Sequence, residues 1–241
     1  MAGHSVRYQK QLEIRGDRRA RLAIDDGVER VKQLAAVTNN RTYRNGRKRK
    51  DGPQTVELVL NLGIDPKQAD QMLRGSMSLP KGTGQTKKVI AFCEGELAAA
   101  ASAAGAVESG GQELIDKISK GWMEFDVAIA HPSMMGKVGK LGRVLGPQGK
   151  MPSPKAGTVT DDIETAVREF AAGKLEYRND AGGNIHLPVG HTGFSTADLK
   201  ENIEAVVQHM NRIKPPTAKG TYVKKVCLSA TRTPSVTLEV G

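Results

Sequence analysis

The chain has 241 residues, a formal net charge of +10, 38% hydrophobic and only 4% aromatic residues, and two cysteines. That length predicts two domains with aliphatic cores, and two distant cysteines outside any CxxC argue against a disulfide framework or a zinc cluster. No apolar run reaches transmembrane length and no secretory pattern opens the chain, so a cytosolic or organellar soluble protein with a polyanionic partner, nucleic acid or an acidic membrane surface, is expected.

Residues 1–50 carry 14 Lys+Arg against 5 Asp+Glu, and the remainder carries 22 against 21, so the basic excess is almost wholly N-terminal. By itself that reads as a solvated basic tail. Ile24, Val28, Val31 and Ala35 recur at helical spacing, with Asp25 and Asp26 as candidate caps. A polar stretch from Asn39 to Pro53 reads as a loop or arm; within it Arg41–Lys50 has six basic residues in ten and no acid. Thr55–Asn61 reads as a strand, with Val56, Leu58 and Leu60 on one side and Thr55, Glu57 and Asn61 on the other.

The middle of the chain alternates strands and helices. Lys88–Phe92 and Phe125–Ala130 are apolar strands. Helices are expected over Gly95–Ala104, around Leu114, Ile115 and Ile118, and around Ile163, Ala166, Val167 and Phe170. Short links between them imply a parallel sheet covered by helices. Beyond Gly173, strands Leu175–Arg178 and Ile185–Val189 flank the turn Asn179–Asn184 and predict a hairpin, with Pro188 suited to an edge. Ser195 and Asp198 mark the start of a long helix whose apolar face is Leu199, Ile203, Val206, Val207, Met210 and Ile213, stopped by Pro215-Pro216. Strands Tyr222–Ala230 and Val236–Val240 close the chain.

The two flanks share one style and the centre another. The expected fold is therefore a split α+β two-layer domain carrying both termini (1–81 and 174–241) with an α/β domain inserted (82–173). Glycines at Lys81–Gly84 and Ala172–Lys174 suit hinges at the crossings. Cys93 and Cys227 both fall in strand-like runs and are expected to be buried thiols.

Gly136–Gly157 holds six glycines, five basic residues and no acid. Such a segment can cradle phosphate. Neither GxxxxGK[ST] nor GxGxxG is present, since Lys150 is followed by Met151, so a structural or RNA-backbone loop is favoured over a nucleotide site and a nucleotide-dependent enzyme. His186 and His191 lack metal or triad context, and Asp161-Asp162 sits where acids favour a helix start. Base-stacking aromatics are scarce, which points to a folded RNA read through backbone and shape.

With these segments in view, the chain resembles the ribosomal protein L-one family, the large-subunit protein of the mobile stalk, bacterial type. The strongest match is Lys140-Leu-Gly-Arg-Val-Leu-Gly-Pro-Gln-Gly-Lys-Met-Pro-Ser-Pro-Lys-Ala-Gly-Thr-Val159; Leu62–Gln71, Arg74-Gly75, Ser78–Pro80, Gly121–Asp126, Arg178–Asp180 and Pro188–Gly190 also match. The resemblance runs from about Arg7 to Val240. It implies a Rossmann-like inserted domain, binding to the stalk region of large-subunit rRNA, help in releasing deacylated tRNA from the exit site, and, in many bacterial members, repression of the protein's own mRNA. It implies no catalytic group, cofactor, metal or membrane partner, a monomer when free, and a place on the cytoplasmic ribosome.

By the same resemblance the RNA-binding residues are Thr55, Glu57, Asn61, Lys67, Arg178, Lys225, Thr231, Arg232, Thr233 and Ser235. Hydroxyls at such a site meet 2′-OH groups and phosphates. Three departures stand out. The family's Thr-Met-Gly in the terminal turn is Thr231-Arg232-Thr233 here, a loss of glycine expected to restrict the turn while Arg232 adds a phosphate-capable fork. A family aromatic is replaced at Gly52, and a basic residue beside it at Asp51. The basic Arg41–Lys50 segment is longer than usual and can compensate electrostatically.

Overall fold

A computed structural model describes residues 5–37 and 52–239. The segment Arg41–Lys50, Asp51 and Val240 lie outside the described residues. In chain order the elements are α1 (Val6–Arg15), β1 (Arg21–Leu22), α2 (Ile24–Ala36), β2 (Thr55–Leu62), β3 (Arg74–Met77), β4 (Val89–Phe92), α3 (Glu96–Ala103), β5 (Glu108–Gly110), α4 (Gln112–Ser119), β6 (Val127–Ala130), α5 (Met135–Val138), α6 (Gly142–Leu145), α7 (Ile163–Ala171), β7 (Leu175–Arg178), β8 (Asn184–His191), α8 (Thr196–Arg212), β9 (Val223–Ala230) and β10 (Val236–Leu238). Contacts group the chain into two units: residues up to 73, 79–84 and 178 onward in one, 74–78 and 85–177 in the other.

The first unit is a five-stranded sheet in the order β1-β10-β9-β2-β8, antiparallel except for the parallel β1–β10 edge. The period-two alternation of β2 turns Val56, Leu58, Leu60 and Leu62 inward, each no more than 1% exposed. Burying each such side chain stabilises by roughly 1.5–3 kcal/mol. Helices α2 and α8 cover this face, through Val28, Val31 and Leu34 on one and Leu199, Ile203, Val206 and Met210 on the other. Gly27 brings α2 close to β10: a Cβ there would lie 2.2 Å from Leu238 Cδ2. The N-cap of α2 is Ala23, without a side-chain cap bond; Asp25 and Asp26 lie inside its first turn, where their charges interact favourably with the helix dipole instead of capping. Ser195 caps α8 as expected, its Oγ accepting from Asp198 N at 3.0 Å. Asn202 on α8 is fully buried and satisfied three ways. Its Nδ2 donates to Val189 O at 2.8 Å and to Gly82 O at 3.0 Å, and its Oδ1 accepts from Lys81 N at 3.0 Å. The Lys81–Gly82 stretch is thus tied to α8.

The second unit carries a three-stranded parallel sheet, β5-β4-β6. Strand β4 is buried on both faces. Ile90 and Phe92 pack with Leu114, Ile115 and Ile118 of α4 and with Val138, Leu141 and Leu145, whereas Val89, Ala91 and Cys93 pack with Ala101 of α3 and Ile163, Val167 and Phe170 of α7. Gly173, with φ 106°, ends α7, and Lys174 N donates to Glu169 O at 3.0 Å. This glycine is a helix cap, and the contact grouping changes over only at Tyr177/Arg178.

The expected hairpin is corrected. Strand β7 pairs with β3, and β8 pairs with β2. The Arg74 guanidinium bonds Glu176 Oε1 through Nε at 3.0 Å and Nη2 at 2.8 Å across the β3–β7 ribbon. The turn itself exists, with Asp180 N donating to Asn184 O at 2.8 Å, but it links two different sheets. Pro188 does sit on an edge strand, β8, where its missing N–H costs no ladder bond.

Candidate nucleic-acid interface

The face of the five-stranded sheet opposite α2 and α8 is lined by the other half of each strand's alternation. Register places Lys225, Asn61 and Asn184 in one row, Thr237, Cys227, Val59 and His186 in the next, and Ser229, Glu57 and Pro188 in a third. All are partly or fully exposed. At the Asn61 end a polar chain forms. Asn61 Nδ2 donates to Asn184 Oδ1 at 2.7 Å, and Asn184 Nδ2 donates to Asp180 Oδ2 at 3.0 Å. Hydrogen bonds from Asn184's side chain, then from its backbone N–H, hold the Asp180 carboxyl below its ordinary value.

At the Thr55 end lies the bend between β9 and β10. Thr231 N donates to Thr55 O at 3.0 Å, and the exposed Thr231 hydroxyl reaches the same oxygen at 3.4 Å. Thr233 N closes the turn onto Ala230 O at 3.0 Å. Arg232 occupies the third position with φ 64°, the only positive φ outside glycine among the described residues. Positive φ at that position alone is the type II pattern, which favours Gly or Asn. The expected restriction from the missing glycine is therefore corrected: the strained site is Arg232, not Thr233. The Thr233 hydroxyl accepts from Ala230 N at 2.9 Å and donates to Ala230 O at 3.0 Å, fastening the bend. From below, buried Gln11 of α1 donates through Nε2 to Leu34 O at 2.9 Å and to Arg232 O at 3.5 Å.

Eight of the ten expected residues thus gather on one surface: Thr55, Glu57, Asn61 and Lys225 on the strands, and Thr231, Arg232, Thr233 and Ser235 in the bend. Two do not join them. Lys67 lies in the loop after β2, exposed, its backbone N bonded to Asp65 Oδ1 at 3.1 Å. Arg178 ends β7 in the β3–β7 ribbon. Sequence reasoning missed Ser229 and Cys227, although both follow Lys225 at period two. It also missed Gln11, for which no apolar pattern existed, because the buried residues of α1 are Arg7 and Gln11.

Other candidates resolve into structure. The glycine-rich segment folds into α5, α6 and a 3-10 turn between them, burying Val138, Leu141 and Leu145. Its Lys150 ammonium donates to Met123 O at 3.2 Å and to Phe125 O, and lies 4.8 Å from the Phe125 ring centre. Asp162 caps α7, accepting from Thr165 N at 3.1 Å, and these bonds lower its pKa. His191 stands edge-on to Phe194 at 4.4 Å, and His186 is 3.8 Å from Asp180 Oδ2. Cys93 is buried, and burial pushes its thiol up. The expectation of burial is corrected for Cys227, which points to the open face. Among the described residues no group of His, Cys, Asp and Glu is arranged to hold a metal, and no helix is long and apolar enough to cross a membrane.

An open sheet face of hydroxyls, amides and lysine suits the binding of a polar, anionic polymer. The model of the ribosomal protein L1p/L10e family matches residues 41–234, more than half of the chain, and the chain belongs to that family. It is a large-subunit ribosomal protein that binds rRNA, a structural RNA-binding protein and not an enzyme.

Proposed function

We propose that the β2–β9 face and the Thr231–Ser235 bend grip the stalk region of large-subunit rRNA, and that the protein so held assists release of deacylated tRNA from the exit site. The two contact units correspond in this reading to a split RNA-binding domain and an inserted Rossmann-like domain, in a chain that is monomeric when free. The observation that carries it is the convergence of Thr55, Thr231 and Glu57 at one end of an exposed face. Hydroxyls and a carboxylate there meet 2′-OH groups, which distinguish RNA from DNA. Lys225 and Arg232 add phosphate contacts at the margins. Because an mRNA hairpin of the same shape would fill the same surface, the protein also represses its own message in this reading.

Cys227 provides a built-in test. It is the accessible thiol on the face, whereas Cys93 is 0% exposed. A stalk rRNA fragment should retain the protein on a filter in preference to a random duplex of equal length. It should also slow alkylation of Cys227 in proportion to the bound fraction. Equal retention of both RNAs, or unaltered alkylation in the saturated complex, is incompatible with this function.

A further inference from the structure

The sheet face does not end at β9. Beyond it the β1–β10 edge opens into two adjoining hollows of about 620 and 480 Å³ that share Arg21, Lys224, Lys225 and Thr237. Each far exceeds the roughly 30 Å³ that one water occupies. Among the described residues six cations border them: Arg18, Arg19, Arg21, Lys214, Lys224 and Lys225. All six are exposed, and none forms an ion pair with an acid among the described residues. Asp17, the one acid that borders them among the described residues, uses Oδ1 to accept from Arg19 N at 2.9 Å.

Local folding explains why so many cations meet here. The register of β2 on β9 slips between Asn61/Lys225 and Leu62/Val223, leaving Lys224 as the extra residue of a bulge. Successive strand residues normally face opposite sides; the bulge lets Lys224 and Lys225 both stand in solvent. Gly16, at φ 69°, and the Asp17 turn then project Arg18 and Arg19 beside Arg21, which is paired with Thr237. Strands lie about 4.8 Å apart, so β1 is about 14 Å from β2 along one continuous surface.

We propose that this basic edge is a phosphate-binding track for the RNA backbone that runs on from the element held by β2 and β9. The proposal rests on the RNA-binding reading above and adds a second site to it. Arginine forks suit phosphate oxygens, and lysines at the shared residues join the track to the sheet.

The test is the salt dependence of binding of the full chain to a stalk rRNA fragment with extended helical arms. Losing three phosphate contacts lowers the log–log slope by about 2–3, so between about 50 and 200 mM salt the wild-type affinity should fall roughly 20–40-fold more than that of an Arg18→Gln/Arg19→Gln/Arg21→Gln variant. Lys224→Gln alone should lower the slope by about one, which keeps the test decisive if the triple variant folds poorly. A charge-matched control, Lys88→Gln/Lys120→Gln/Lys155→Gln, should leave the slope at the wild-type value. Specific binding with an unchanged slope in the edge variants overturns the track while sparing the sheet-face reading. An equal loss in the control overturns it in favour of net charge. Failure of the wild type itself to prefer the stalk fragment removes the underlying function, and the track with it. An unchanged RNA slope with lost binding to phosphatidylserine vesicles would assign the edge to a membrane instead.

Discussion

The antiparallel sheet of the first unit and the parallel sheet of the second dispose of their faces in different ways. One face of the five-stranded sheet is closed by α2 and α8, and the other presents Glu57, His186 and Lys225 to solvent. The three-stranded sheet is closed on both faces, and in the lysine- and glycine-rich segment Lys150 is bonded to two backbone carbonyls while Lys137, Lys140, Arg143 and Lys155 stay exposed. A lysine in a glycine-rich run is therefore not by itself an anion site: the donors of Lys150 are already occupied by the protein's own acceptors. Two variants set that contrast against experiment most sharply.

Lys150→Ala should show the largest effect, and it should be on stability. The change strips a charged donor from the carbonyls of Met123 and Phe125, costing about 3 kcal/mol. Trp122, 5.6 Å from Phe125 and packed on the same core, reports the loss in urea unfolding followed by fluorescence. Affinity for stalk RNA should not change. A fall in affinity as large as the fall in stability would move the principal site into the second unit.

Thr231→Val is the mirror case. Valine keeps the shape and removes an exposed hydroxyl whose carbonyl partner, Thr55 O, keeps its bond from Thr231 N. Melting should be unaltered while specific affinity drops about tenfold, the loss of about 1.4 kcal/mol from one RNA hydrogen bond. A filter-binding titration in which Thr231→Val and Lys150→Ala behave alike would erase the distinction between the two sheets.

Much of this contrast is legible from residue patterns alone. Strand β2 alternates cleanly, so its outward residues could be named, and β4 and β6 are continuous apolar runs suited to a sheet covered twice. Legibility fails where local pattern and final partner part company. Arg74–Met77 and Glu108–Gly110 have almost no apolar residues, so neither β3 nor β5 announces itself, and β7 reads as the partner of its neighbour in sequence, β8, although it pairs with β3. Helix α1 escaped because the residues it buries are Arg7 and Gln11, which no hydrophobic period can reveal. The six-cation edge depends on a bulge and a two-residue strand, both settled by long-range pairing.

Arg232 sharpens the comparison at the bend itself. Its left-handed backbone costs a non-glycine residue roughly 1–2 kcal/mol, and glycine's extra chain entropy returns about 0.5–1 kcal/mol of cost. Arg232→Gly should therefore raise stability by up to about 1 kcal/mol. If the side chain contacts phosphate, the same variant should bind stalk RNA a few-fold more weakly and lower the salt slope by about one. Gains in both stability and affinity would show that the arginine is tolerated at the turn without serving RNA.

The smallest effect is expected at the far end of the face, where Asp180 holds Asn184 and, through it, Asn61. Its pKa is depressed in the fold, first by the Asn184 side-chain bond and then by the backbone N–H groups of Asn184 and Gly182. A depressed carboxylate contributes stability that is fully present above its unfolded value, ordinarily 3.8, and is lost as pH falls through the lower folded value. The polar chain should therefore be unaffected from neutral pH to mild acid and loosen only below 3.8. Side-chain amide resonances of Asn184 and Asn61 should move together in an NMR titration, with a shared midpoint under that value. A midpoint at or above it, or an Asn61 amide indifferent to Asp180→Asn, would mean that the turn and the sheet face are set independently.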